Sequence, residues 1–271
     1  MLTLLKTFLL IRPHNIAAAV LSVAAGFAIG GGTGTFPFWL LLSTALVTAA
    51  GNVINDWFDR DIDAINKPRR PIPSGGVSPR AALALYFLLL AAIAAGATRL
   101  TAPQAAWIAA WAVLLHIYSW KAKRIWLAGN ILVASVVSSA FLLGAYTAGD
   151  ISAGTVPALF TFFFILGREL VKDTEDIKGD RECGARTVPV LSGPGTALTA
   201  AAVIFIILAA SIPLPYISGI LGTGYLITML LSVLPILVVS CVFCLRRRSP
   251  AFVSLLLKLG MFCGVAAFYL G

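Results

Sequence analysis

Nine apolar stretches dominate this chain, at 14–31, 36–55, 81–98, 102–120, 126–147, 154–172, 194–213, 221–245 and 251–270. Each is near the roughly 20 residues that a helix needs to cross a bilayer. What lies between them is too short for a soluble domain. The expected fold is therefore all-α: one polytopic domain over residues 1–271, with nine transmembrane helices around a central cavity. Only 11% of residues are charged, against about 25% in a soluble domain. Eighteen of the 20 Lys and Arg fall on one side of a nine-span topology, Arg99 and Lys258 being the exceptions. That asymmetry places the basic side and the N-terminus in the cytoplasm and the C-terminus outside a cell membrane. The net charge of +9 is then a topology signal, and no nucleic-acid partner is expected. Residues before Arg12 and Pro13 read as an interfacial lead-in to the first span. Lys258, inside the last span, reads either as facing the interior and a substrate phosphate or, the safer reading, as an error in that span's limits.

Ten of the eleven acidic residues sit in two clusters, each at the cytoplasmic end of a span. Asp56, Asp59 and Asp63 share the spacing D-x-x-D-x-x-x-D with Asp173, Asp176 and Asp180. At about 100° per residue, Asn52, Asn55, Asp56, Asp59 and Asp63 form one polar stripe on a helix. Glu169, Lys172, Asp173, Asp176 and Asp180 form a matching one, whereas Asp61 points away to solvent. The starts of the clusters are 117 residues apart, which hints at a pseudo-repeat.

Carboxylates concentrated beside hydrocarbon mark a functional site. Two carboxylate stripes without Cys or His favour a hard divalent cation, Mg²⁺, shared with phosphate oxygens. Asp59, Asp63, Asp176 and Asp180 are the expected catalytic metal ligands, with Asp56 and Asp173 assisting. Lys67, Arg70, Lys121, Lys123, Arg168, Lys172 and Arg186 surround the stripes and are candidates for a phosphate ligand. A cation transporter would hold such carboxylates near the bilayer midplane, but these lie at span ends. Cys241 and Cys244 lack a second ligand pair and read as packing residues. His14 lies near the expected site and reads equally as a substrate contact or as helix-end packing, and His116 as a hydrogen-bonded membrane residue.

N-D-W-F-D-R-D-I-D followed by N-K-P-R-R-P-I-P-S-G resembles the first motif of the UbiA superfamily of membrane prenyltransferases, and D-T-E-D-I-K-G-D-R resembles its second. Arg12-Pro13-His14-Asn15 resembles the family's opening, and Tyr118-Ser119 with Lys121 and Lys123 the stretch after its fourth span. Lys67 stands where relatives often carry Arg. The resemblance implies Mg²⁺-dependent transfer of a prenyl group from its diphosphate to an acceptor, with Asn15, Asn52 and Asn55 among the substrate contacts, and Tyr118 reads equally as a diphosphate contact or as part of an interfacial aromatic belt. R-E-L-V-K-D-T-E-D-I-K-G-D and G-A-R-T-V-P-V resemble the archaeal ether-lipid branch. That branch implies a geranylgeranyl donor and a lipid-phosphate acceptor (geranylgeranylglyceryl phosphate), and the sequence makes no obligate protein partner evident. The first motif also resembles the chlorophyll branch, so an aromatic acceptor is the alternative.

Overall fold

The computed structural model describes residues 2–34 and 37–271, and among them it contains helices and no strand. In chain order these are α1 (Leu2–Leu10), α2 (Pro13–Ile29), α3 (Phe38–Phe58), α4 (Arg60–Asn66), α5 (Pro79–Ala97), α6 (Ala102–Trp120), α7 (Ala128–Ala148) and α8 (Thr155–Glu175). They continue as α9 (Ile177–Glu182), α10 (Val188–Ser192), α11 (Pro194–Ser211), α12 (Leu214–Ile217), α13 (Thr223–Thr228), α14 (Leu234–Leu245) and α15 (Pro250–Tyr269). Residue 36, the first position of the second expected span, lies outside the described residues.

Among the described residues seven stretches are long and apolar enough to cross a membrane, so the expected count of nine is not matched exactly. The other two expected spans are helices, but α2 has only 17 residues. The apolar run of α6 is diluted by Gln104, His116, Tyr118 and Ser119. The outer surface carries bare apolar side chains such as Leu231 and Ile217, as a bundle facing lipid should. The 221–245 span is not one regular helix. A π-turn over Met229–Val233 joins α13 to α14 just before Pro235, whose missing N–H breaks the regular ladder.

Two apolar cores hold the bundle. One is built mainly by α3, α5, α6 and α7 around Val47, Val53, Ile108 and Trp111. The other is built mainly by α8, α11, α13, α14 and α15 around Phe205, Tyr225, Leu237 and Leu257. Helix α2 joins them by lying close along α7. A Cβ at Gly26 would run into the Phe141 carbonyl, and one at Gly144 into the Val23 carbonyl, so only glycine permits that approach. Both cores contribute walls to one cavity of about 500 Å³.

Candidate active site

The two acidic motifs fold into the same local device. A 21-residue helix, α3 or α8, ends one residue before the middle aspartate, and a short helix, α4 or α9, follows it. The backbone keeps helical hydrogen bonds across each junction: Asp59 N–H to Asn55 and Asp63 N–H to Asp59, then Asp176 N–H to Lys172 and Asp180 N–H to Asp176. The 100° phase therefore survives the break, and the three aspartates of each motif stay on one side. Asp56, Asp63 and Asp180 are buried, while Asp61 is exposed as its phase requires.

The junctions interlock. Asn66, at the end of α4, donates to the Asp176 carbonyl at 2.7 Å and accepts from Gly179 N–H at 2.9 Å. Lys67 reaches Asp176 at 2.6 Å and Glu175 at 3.7 Å. Sequence reasoning passed over Asn66, though it stands inside the quoted N-K-P-R-R run.

Each carboxylate of the first motif has a cation. Arg12 pairs with Asp56 and Lys123 with Asp59. Arg70 meets Asp63 at 2.5 Å and Asp56 at 3.5 Å. Asn55 supports this set, donating to Asp59 at 2.9 Å and accepting from Lys123 at 3.3 Å. The second motif is held chiefly by neutral donors: Asn130 on Asp173 at 2.8 Å and Thr187 on Asp180 at 3.2 Å. Burial pushes the Asp180 carboxyl up to about 6, the Asp176 charge adds to the shift, and the Thr187 hydroxyl opposes it. Asn130, a polar residue inside an apolar helix, carried a signal that could have marked it.

The cavity has a charged end and an apolar end. Asn15, Asn52, Asn55, Lys67, Arg70, Tyr118, Arg168 and Lys172 line the charged end, all of them expected substrate contacts. Asn15 donates to Asn52 at 3.1 Å, and Asn52 to the Ile11 carbonyl at 2.8 Å. Glu169 holds Arg168 at 2.6 Å and Lys172 at 3.1 Å. Val136, Phe164, Ile165, Met229, Val233 and Phe268 line the apolar end. Three expected contacts, Lys121, Lys123 and Arg186, are not brought to the lining, Lys123 being held on Asp59. Lys121 is exposed where α6 ends, and Arg186 is exposed, its backbone N–H on the Arg124 carbonyl at 2.9 Å. His14 and Lys258 do line the cavity. The last helix spans Pro250–Tyr269, so Lys258 lies within it and the reading of misplaced span limits is corrected. His116 lies elsewhere, its Nδ1 3.1 Å from the Tyr86 hydroxyl.

The donor set fits Mg²⁺ by chemistry: six carboxylates from two motifs, all hard oxygen ligands. Among the described residues no three carboxylates are grouped closely enough to cage an ion. Mg²⁺ does not need a cage, since it takes one or two carboxylates and completes its shell with water and phosphate oxygens. Asp176 Oδ1 is buried with no hydrogen bond and lies 2.6 Å from the Lys67 ammonium.

The UbiA prenyltransferase family pattern matches residues 19–264. Digeranylgeranylglyceryl phosphate synthase of Methanopyrus kandleri is 39% identical over 267 residues, which cover 96% of each chain. A solved structure of a digeranylgeranylglyceryl phosphate synthase is 28% identical, with a TM-score of 0.74, and covers 100% of this chain and 99% of its own. A UbiA homologue from Archaeoglobus fulgidus, solved with GPP and Mg²⁺, shares the fold at 20% identity, with a TM-score of 0.67 over 97% of this chain and 99% of its own.

Proposed function

This chain belongs to the UbiA prenyltransferase family, and from that premise we propose its reaction. It transfers a geranylgeranyl group from geranylgeranyl diphosphate to the secondary hydroxyl of geranylgeranylglyceryl phosphate, releasing diphosphate. The observation that carries the reading is a cavity charged at the motif end and apolar at the other, in a chain that matches such synthases along its length. Residues 1–271 act as one prenyltransferase domain.

Asp59, Asp63, Asp176 and Asp180 are the residues that would hold Mg²⁺, with Asp56 and Asp173 supporting them. When bound, Mg²⁺ supplies Lewis-acid stabilisation of the departing diphosphate. Lys67, Arg70, Lys123 and Lys172 bind diphosphate oxygens; the first three now neutralise motif carboxylates and exchange them for the anion. The apolar end receives the prenyl tail and excludes water from the allylic carbon. The carbon–oxygen bond to diphosphate breaks, the acceptor hydroxyl oxygen bonds to the allylic carbon, and the hydroxyl proton passes to a motif carboxylate or to the diphosphate. The basic residues crowded around the motifs support a cytoplasmic opening, with the N-terminus on that side and the C-terminus outside.

The test is acceptor competition in detergent with labelled geranylgeranyl diphosphate. The glycerol-phosphate ether should be alkylated in preference to 4-hydroxybenzoate. Ready prenylation of the aromatic with the ether ignored would leave only the family assignment standing.

A further inference from the structure

The cavity wall carries more positive charge than one diphosphate site explains. Its lining includes six Arg or Lys side chains (Arg12, Lys67, Arg70, Arg168, Lys172 and Lys258) and two Glu. Their partners sort them. Arg12, Lys67 and Arg70 hold motif aspartates, and Arg168 and Lys172 share Glu169. Among the described residues, Lys258 has neither a carboxylate within ion-pair distance nor a side-chain hydrogen bond. An unpaired charge inside a membrane helix is costly and marks a functional position.

The face of α15 settles where Lys258 points. Ser254, Lys258, Met261, Val265 and Phe268 all line the cavity, at a helical spacing of four, three, four and three residues. Helical side chains lean toward the N-terminus of their helix, which for α15 is the charged end. Helix α15 packs on α2 and α8, and these bring His14 and Arg168 to the same cavity. Lys258 lies within electrostatic reach of Arg168, Glu175, Arg12 and Lys67, and His14 within reach of Lys258, Arg12 and Arg168. A second observation is independent of Lys258: Arg168 Nε is buried with no hydrogen-bond partner. A buried donor without an intramolecular partner can serve an acceptor atom of a bound anion.

We propose that Lys258, with Arg168 and His14, forms a second anion subsite that receives the acceptor's phosphate monoester. This rests on the reading of the reaction given above. The acceptor's phosphate is joined to the carbon next to the one bearing the reacting hydroxyl, and that hydroxyl must come within about 3.5 Å of the allylic carbon. The monoester and the diphosphate therefore lie close together in one cavity, and two adjacent anions need separate cations. The α3–α4 side supplies one set, and the α2–α8–α15 side supplies the other. The subsite selects phosphorylated glycerol ethers over neutral ones.

The test compares geranylgeranylglyceryl phosphate with its dephosphorylated alcohol at saturating geranylgeranyl diphosphate. The wild-type chain should prefer the phosphorylated acceptor. In Lys258→Met and Lys258→Gln the ratio of the two kcat/KM values should fall by about tenfold or more, the size of a lost charge-assisted contact. Lys258→Arg should keep the ratio within about threefold of wild type, because a guanidinium also binds phosphate. In the wild-type chain alone, sn-glycerol 1-phosphate should inhibit competitively against the acceptor and not against geranylgeranyl diphosphate. Equal losses for both acceptors in the Met and Gln variants overturn the subsite, as does competition against the diphosphate instead. If the wild-type chain alkylates neither glycerol ether, the acceptor reading itself fails and the subsite falls with it. A wild-type chain that prefers the phosphorylated acceptor beside a Lys258→Met variant with the same preference removes the subsite alone.

Discussion

The two acidic motifs have one spacing and one backbone geometry but opposite electrostatics. All three aspartates of the first lie against cations, Arg12, Lys123 and Arg70. In the second, two of the three lie against neutral donors, Asn130 and Thr187, and among the described residues only Asp176 is at ion-pair distance from a cation, Lys67, which the first motif's own loop supplies. Matched sequence thus fixes where the carboxylates point and leaves open what balances them. The first motif comes with counter-charges that a diphosphate can draw away. The second has fewer cations at ion-pair distance, one for three aspartates.

The largest expected effect tests whether both motifs are needed. Asp59→Asn and Asp176→Asn keep side-chain shape and remove charge, and each should lower turnover by about a hundredfold or more, the scale of a lost electrostatic contact in a transition state. A large loss in one motif with near wild-type activity in the other would break the pairing. Gly179→Ala probes the interlock between them. Its new Cβ would lie 2.6 Å from Asn66 Nδ2 and 2.9 Å from the Ile62 carbonyl. The short helices α4 and α9 must then separate, and activity should fall by about tenfold, as small misplacements of binding groups do. Activity close to wild type would show that their spacing is unimportant.

A smaller effect should separate the motifs by pH. With its folded-state pKa raised to about 6 from 3.8, the Asp180 group favours the folded state fully below about 4, and that contribution is lost as pH rises through about 6. Metal binding runs the other way, because the ligand must be deprotonated. At sub-saturating Mg²⁺, activity should fall severalfold as pH drops from about 7 to 5, and excess Mg²⁺ should restore part of it. Loss of activity that no Mg²⁺ concentration relieves would place the titration elsewhere. The smallest effect belongs to Arg246, exposed at the end of α14. Arg246→Ala should change kcat/KM by less than about twofold, as surface changes do. A loss matching that of Arg70→Ala would contradict the division of basic residues made here.

Much of this was legible before any coordinates. Apolar length marked the nine main helices, and the D-x-x-D-x-x-x-D phase placed the aspartates on one side, because helical periodicity is a local property. What failed depended on which helices become neighbours. Lys121 and Arg186 are near the motifs in sequence or by resemblance, yet their side chains leave the cavity. Lys258 is far from both motifs and enters it, because α15 packs on α2 and α8. Asn130 and Thr187 became visible as carboxylate partners only when their elements met α8 and α9. The π-turn before Pro235 lay in a span that hydropathy alone reads as continuous.

The central claim is that the two motifs make one site. It is tested most directly by measuring Mg²⁺-dependent binding of geranylgeranyl diphosphate to the purified chain and to two double variants, Asp59→Asn/Asp63→Asn and Asp176→Asn/Asp180→Asn. Either pair of substitutions alone should abolish Mg²⁺-dependent binding, with an affinity loss on the order of a hundredfold. Retention of wild-type, Mg²⁺-dependent affinity by either double variant would contradict the account.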